Sequence, residues 1–96
     1  DVGWYQRKRD YVHDQLTGMG YALVKPQGAF FAFPSSPIPD DVQFVQELLR
    51  WNVLVTPGTG FGRPGFVRIS YCVEDRVLEG AMVGFSQAAR VHGLQG

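Results

Sequence analysis

Few side chains among the 96 residues can bind or transform a ligand, and one stretch concentrates the interest. Residues 55–71, VTPGTGFGRPGFVRISY, crowd four glycines and two prolines ahead of an apolar run broken by a single cation, Arg68. A guanidinium is a rigid fork of donors that can grip a carboxylate through two parallel hydrogen bonds. The other candidates fare worse. His13 falls on the polar side of an N-terminal helical pattern, His92 in a terminal tail expected to fray over 91–96, and Arg63 in an exposed loop. Cys72 has no activating neighbour in sequence and reads as a packed thiol. One cysteine and two distant histidines give no metal-ligand spacing and no intramolecular disulfide, so a reducing interior such as the cytoplasm is the expected setting.

The stretch GFGRPGFV, 60–67, also satisfies two nucleotide motifs, G-x-G-x-x-G and the longer G-x-G-x-x-G-x-V. Both fail on context. The dinucleotide form needs a helix beginning within the glycines to hold a pyrophosphate, but Pro64 and a β-branched run follow instead. The kinase form needs a lysine on the next strand, and the only lysines, Lys8 and Lys25, lie upstream. A tight turn feeding a strand is the simpler reading.

The elements that must position Arg68 can be read from periodicity. Tyr5, Val12, Leu16 and Met19 recur at helical spacing, with Arg7, Lys8, Arg9, Asp10 and Asp14 assigned to the wet side, and Gly18 or Gly20 ends that helix. YALV, 21–24, and GAFFAFP, 28–34, read as strands, the second entered through Gly28 and closed by Pro34. Asp40 has the character of an N-cap with Gln43 as its capping-box partner, opening a helix over 41–51 with Val42, Val45, Leu48 and Leu49 as its apolar stripe. VLVTP, 53–57, and residues 66–71 are further strands. A last helix over 74–90 presents Val77, Leu78, Ala81, Met82, Phe85 and Ala88, with Gly80 and Gly84 expected to mark close packing. The order α-β-β-α-β-β-α defines an α+β domain: a small, mainly antiparallel sheet with helices packed on one face.

Alternation then separates the faces of strand 66–71. Val67, Ile69 and Tyr71 point one way, toward the core; Phe66, Arg68 and Ser70 point the other. On the neighbouring strand, Phe31 and Phe33 are expected in the core, leaving Phe30 and Ala32 beside the arginine. From the pattern alone Arg68 is solvated, paired with an acid, or free to meet a ligand carboxylate.

Bulk composition narrows the partners. Nine basic and nine acidic residues balance and are scattered, which argues against nucleic acid or an anionic membrane surface. No apolar run approaches the ~18 residues of a membrane span. The length suits one domain, residues 1–96. Lacking an initiator methionine and opening inside a helical pattern, the chain is expected to be a piece of a longer protein. Trp4 and Trp51 read as packing anchors or interface residues.

GAFFAFP, VLVTPGTGFGRPGFVRISYCV and RKRDYVHDQLTGMGY together resemble the C-terminal small domain of pyridoxal-phosphate-dependent aminotransferases of class I/II, in particular the bacterial aspartate-aminotransferase-like enzymes. The resemblance runs over residues 5–90, and its most specific part is the P-G-x-x-F-G loop followed by the R-I-S strand. It implies that Arg68 binds the α-carboxylate of an amino-acid or 2-oxo-acid substrate and that Phe30 lines the cleft. It implies a homodimer in which pyridoxal phosphate is held mainly by a large domain of the same polypeptide, so that this chain alone has no Schiff-base lysine, binds no cofactor and is inactive. A relative performing another pyridoxal-phosphate reaction fits the same resemblance. The reading from a different class is a stand-alone regulatory module that binds a small carboxylate.

Overall fold

The structure, a computed structural model, describes residues 2–24 and 30–95. Helix α1 (Val2–Gly18) is followed by strands β1 (Leu23–Val24) and β2 (Phe31–Pro34), helix α2 (Asp41–Leu49), strand β3 (Thr56–Pro57), a short 3₁₀ turn (Gly58–Phe61), strand β4 (Val67–Ser70) and helix α3 (Asp75–Val91). The strands form one antiparallel sheet in the order β1-β2-β4-β3. The α+β architecture and its element order are as the pattern predicts. The strands are shorter: of 53–57 only Thr56 and Pro57 pair, Val53 is buried, and Leu54 is 81% exposed. Lys25, Pro26 and Gly28 lie outside the described residues.

All three helices stop by the same device. Gly20 (φ 100°), Asn52 (φ 60°) and Gly93 (φ 71°) take left-handed conformations, and the next residue's N–H reaches back five positions: Tyr21 to the Leu16 carbonyl at 3.1 Å, Val53 to Leu48 at 3.1 Å, Leu94 to Ala89 at 2.9 Å. This satisfies carbonyls that a helix end leaves orphaned and returns an apolar side chain to the core. At its start, α2 is capped by Asp40, whose carboxylate accepts from the Gln43 N–H at 3.1 Å.

One core joins the three helices to one face of the sheet, with Val12 and Leu16 from α1, Phe44 and Leu48 from α2, Ala32, Val67, Ile69 and Tyr71 from the sheet, and Leu78, Met82 and Phe85 from α3. Tyr21 closes its polar end by donating its hydroxyl to the Phe85 carbonyl at 2.7 Å. Burial pushes the Tyr21 phenol well above its ordinary pKa, with the Glu47 carboxylate adding to the shift.

Three packing expectations are corrected. On α2 the buried residues are Asp41, Phe44 and Leu48, while Val42 and Leu49 are exposed; the helix is rotated so that Asp41 can turn inward. On α3, Val77 is half exposed, and Gly84 but not Gly80 is a close-packing site: a Cβ on Gly84 would lie 2.3 Å from Val53 Cγ2, while one on Gly80 would meet nothing within 4 Å. The tail does not fray at 92–94. Glu47 accepts at 2.8 Å from His92 Nε2, the imidazole rests against Phe44, and Leu94 packs on the core.

Candidate functional site

Strand β4 is where alternation carries through. Val67, Ile69 and Tyr71 are 0%, 4% and 0% exposed, whereas Arg68 and Ser70 lie on the face away from the helices and stay partly accessible. The pairing of β2 with β4 sets Ala32 opposite Ile69 and Phe31 opposite Ser70. Directly opposed residues of an antiparallel pair share a face, so Ala32 belongs to the core and Phe31 and Phe33 to the arginine side. The expected phase of β2 is therefore inverted. An alanine fits above the bulky Tyr71 and Ile69, and the phenylalanines are put to another use.

That use surrounds Arg68. Its guanidinium carbon lies 4.5 Å from the Phe31 ring centroid and 5.0 Å from that of Phe61. Both rings lie within cation–π reach of the guanidinium, each contact worth ~0.5–2 kcal/mol according to its desolvation. Phe61 also meets Phe33 edge-on at 5.6 Å, and Arg63 sits 6.0 Å over Phe33. Arg63, expected to be exposed, is thus half-buried on the same face as Arg68. Among the described residues no carboxylate forms an ion pair with Arg68.

The glycine loop delivers these groups. Gly58 is buried so tightly that a Cβ would fall 1.9 Å from the Arg63 carbonyl oxygen and 2.4 Å from that of Phe66. The Gly58 N–H donates to Phe66 at 2.7 Å, and its carbonyl accepts from the Arg63 N–H at 2.8 Å. No α-helix begins among the glycines; they fold as a 3₁₀ turn that hands the chain to β4. The nucleotide motifs are coincidental.

Sequence reasoning missed Asp41. Its carboxylate, 1% exposed, accepts from the Gly65 N–H at 2.7 Å, the Thr59 N–H at 3.2 Å and the Thr59 hydroxyl at 2.8 and 2.9 Å. A buried acid in the first helical turn is favoured by the N-terminal dipole and by its donors. Spacing alone could not have found it, because Asp41, Phe44 and Leu48 follow the i, i+3, i+7 rule and so do Val42, Val45 and Leu49.

Phe30 is not brought onto the arginine face. Its ring, 53% exposed, meets Tyr5 of α1 edge-on at 5.8 Å, at the helix side of the sheet's end. Behind it the Tyr5 and Tyr71 hydroxyls are hydrogen-bonded at 3.0 Å. Burial and that bond hold the Tyr71 phenol protonated well beyond its usual range. His13 is half-buried on α1 and Cys72 is a half-buried free thiol. Among the described residues no group of His, Cys, Asp and Glu could hold a metal ion, and no helix is long and apolar enough to cross a membrane.

Lys8 differs from expectation. It is 6% exposed, donates to the Val73 carbonyl, pairs with Asp75 at 3.0 Å and lies 4.5 Å from the Trp4 ring centroid. Its place in the 5-8-12-16 stripe carries it into the α1–α3 contact, where its ammonium is fully engaged. Lys8 does not fit the amine of a pyridoxal-phosphate site, because it is buried and ion-paired in the helix layer while Arg68 lies on the opposite face of the sheet.

The model of the family "aminotransferase class I and II" matches residues 2–84, and the chain belongs to that family. It is 40% identical over 85 residues to the aspartate/prephenate aminotransferase of Thermus thermophilus, covering 86% of this chain and 22% of that protein. It is likewise 40% identical over 82 residues to a probable N-acetyl-LL-diaminopimelate aminotransferase of Bacillus subtilis, covering 79% of this chain and 21% of that protein. Among solved structures, an amino transferase from Eubacterium rectale superposes with a TM-score of 0.87 at 35% identity, over 96% of this chain and 23% of its own. The Thermus thermophilus aspartate aminotransferase with maleate gives 0.81 at 36% identity, over 88% and 22%. The chain spans about a fifth of the length of the curated relatives it matches.

Proposed function

We propose that this chain is the C-terminal small domain of a pyridoxal-phosphate-dependent transaminase, and that Arg68 binds the α-carboxylate of an amino-acid or 2-oxo-acid substrate. One observation carries the assignment: a guanidinium on the helix-free face of the sheet, flanked by Phe31 and Phe61 and without a carboxylate partner among the described residues. Such an arginine offers two parallel donors in one plane, which fixes the orientation of a bound carboxylate and hence of the carbon beside it. Orientation is what a transaminase asks of its carboxylate site, since the bond to be broken at that carbon must face the cofactor. Phe30, exposed just before β2 on the helix side of the sheet's end, is proposed to line the substrate cleft from that end and not beside Arg68.

The remaining machinery, namely the Schiff-base lysine and the cofactor site, is assigned to a large domain of the same polypeptide, with a cytoplasmic homodimer as the working form. The lack of fit at Lys8 supports that division. The test is Arg68→Ala in the enzyme that carries this chain. Loss of transition-state stabilisation of ~2–5 kcal/mol in kcat/KM is expected, by analogy with removing one partner of a desolvated charge pair. Retention of wild-type kcat/KM would refute the assignment.

A further inference from the structure

Within the reading of Arg68 as the carboxylate site, on which this inference rests, we infer that Asp41 is a positioning residue for substrate binding. It clamps the glycine loop so that Phe61 backs the Arg68 guanidinium. Asp41 does not act on Arg68 itself. Its two oxygens are spent on Thr59 and Gly65, which bracket the segment carrying Phe61 and Arg63.

Two backbone N–H groups converge on one carboxylate oxygen, Oδ2, and the Thr59 hydroxyl reaches both oxygens, so three hydrogen bonds are made to a charged acceptor. An asparagine could keep these partners, its oxygen taking the two N–H groups and its amide facing the Thr59 hydroxyl, but only as neutral and weaker bonds. Held at both ends by the carboxylate and across its middle by the Gly58 to Arg63 bond, the loop has little freedom. Phe61 is thereby fixed 5.0 Å from the Arg68 guanidinium carbon and edge-on to Phe33. A long arginine side chain loses rotamer freedom whenever it binds, and a fixed ring beside it restricts that freedom beforehand. Asp41 thus prepares the site from α2, on the far side of the loop.

The consequence is kinetic and specific. Slackening the clamp weakens a contact made equally with bound substrate and transition state, which raises KM and leaves kcat nearly unchanged. A merely structural acid would lower the unfolding midpoint and leave KM of the folded enzyme untouched.

The experiment measures steady-state kinetics and thermal unfolding for Asp41→Asn, Thr59→Val, Phe61→Leu and their pairwise combinations in the enzyme that carries this chain, with Arg68→Ala alongside. KM for both amino acid and 2-oxo acid is expected to rise about tenfold in Asp41→Asn and about threefold in Thr59→Val, the range for losing hydrogen bonds to a charged group or to a hydroxyl. Phe61→Leu should raise KM alike, and Asp41→Asn/Phe61→Leu should be no worse than the stronger single variant, because both act on one contact. If Asp41→Asn does not fold, Thr59→Val with Phe61→Leu completes the same cycle. Unchanged KM in the clamp variants, or Asp41 and Phe61 effects that multiply independently, overturns the inference. If Arg68→Ala lowers kcat/KM and the clamp variants leave KM unchanged, this inference alone fails; if Arg68→Ala also retains wild-type kcat/KM, the underlying assignment of Arg68 fails with it.

Discussion

The two faces of the sheet use similar residue types for opposite purposes. On the helix side, Tyr71, Ile69, Val67 and Ala32 are all under 5% exposed, and their aromatic and aliphatic groups exclude water. On the other side Phe31, Phe33 and Phe61 are only partly buried and are arranged around two cations, Arg68 and Arg63. An aromatic ring beneath helices contributes area removed from water; the same ring beside a guanidinium contributes an electron-rich face. Stability should therefore reside on one face and ligand recognition on the other, and substitutions can separate them.

The sharpest break is expected from Phe44→Ala. This fully buried ring touches Tyr21, Phe85 and His92, and its removal should cost ~3–5 kcal/mol of stability in denaturant unfolding while folded molecules keep their kinetic constants. Arg68→Ala should do the reverse: a loss of ~2–5 kcal/mol in kcat/KM with the unfolding midpoint nearly in place. A large fall in stability in that variant would mean that the outer face also carries structure. Asp41→Asn lies between the two, because it reaches the outer face from within, and its KM change is the measure of that reach.

Smaller effects sharpen the core side. The Tyr21 phenol is held above its ordinary pKa of 10.0 by burial and by Glu47. The folded state thus keeps a proton that the unfolded state releases. Stability from this group is complete below pH ~10 and is lost as pH rises from there through the folded-state pKa. Tyr21→Phe should flatten that alkaline decline in unfolding free energy while losing the hydrogen bond to Phe85 at neutral pH; an unaltered slope would mean that Tyr21 does not govern it. The smallest change is expected from Gly80→Ala, at a helical position with open space around it. It should stabilise by up to ~1 kcal/mol, whereas Gly84→Ala, facing Val53, should not.

Much of this was legible in the residues. Helix positions, the Asp40 cap and the two faces of β4 follow from periodicities of 3.6 and 2 that burial enforces, and the left-handed turn after the first helix from Gly20. The phase of β2 was not legible. In GAFFAFP both faces offer apolar residues, so hydrophobicity cannot choose between them; the register with β4 chooses, by setting Ala32 against Ile69. Lys8 was misread and Asp41 missed for a related reason. Charge implies solvent by default, yet each sits in a helical stripe where a specific partner compensates its burial: the Val73 carbonyl and Asp75 for one, Thr59 and Gly65 for the other. His92 was taken for a tail residue because Glu47, 45 positions away, is invisible as a neighbour in sequence.

By itself the sequence determined that Arg68 leaves the core, since alternation in a strand is a property of the backbone and holds wherever one face is buried. Only the tertiary structure decided what surrounds that arginine. Phe31 arrives through strand register and Phe61 through a loop held from α2, and both depend on hydrogen bonds between segments that no local pattern encodes.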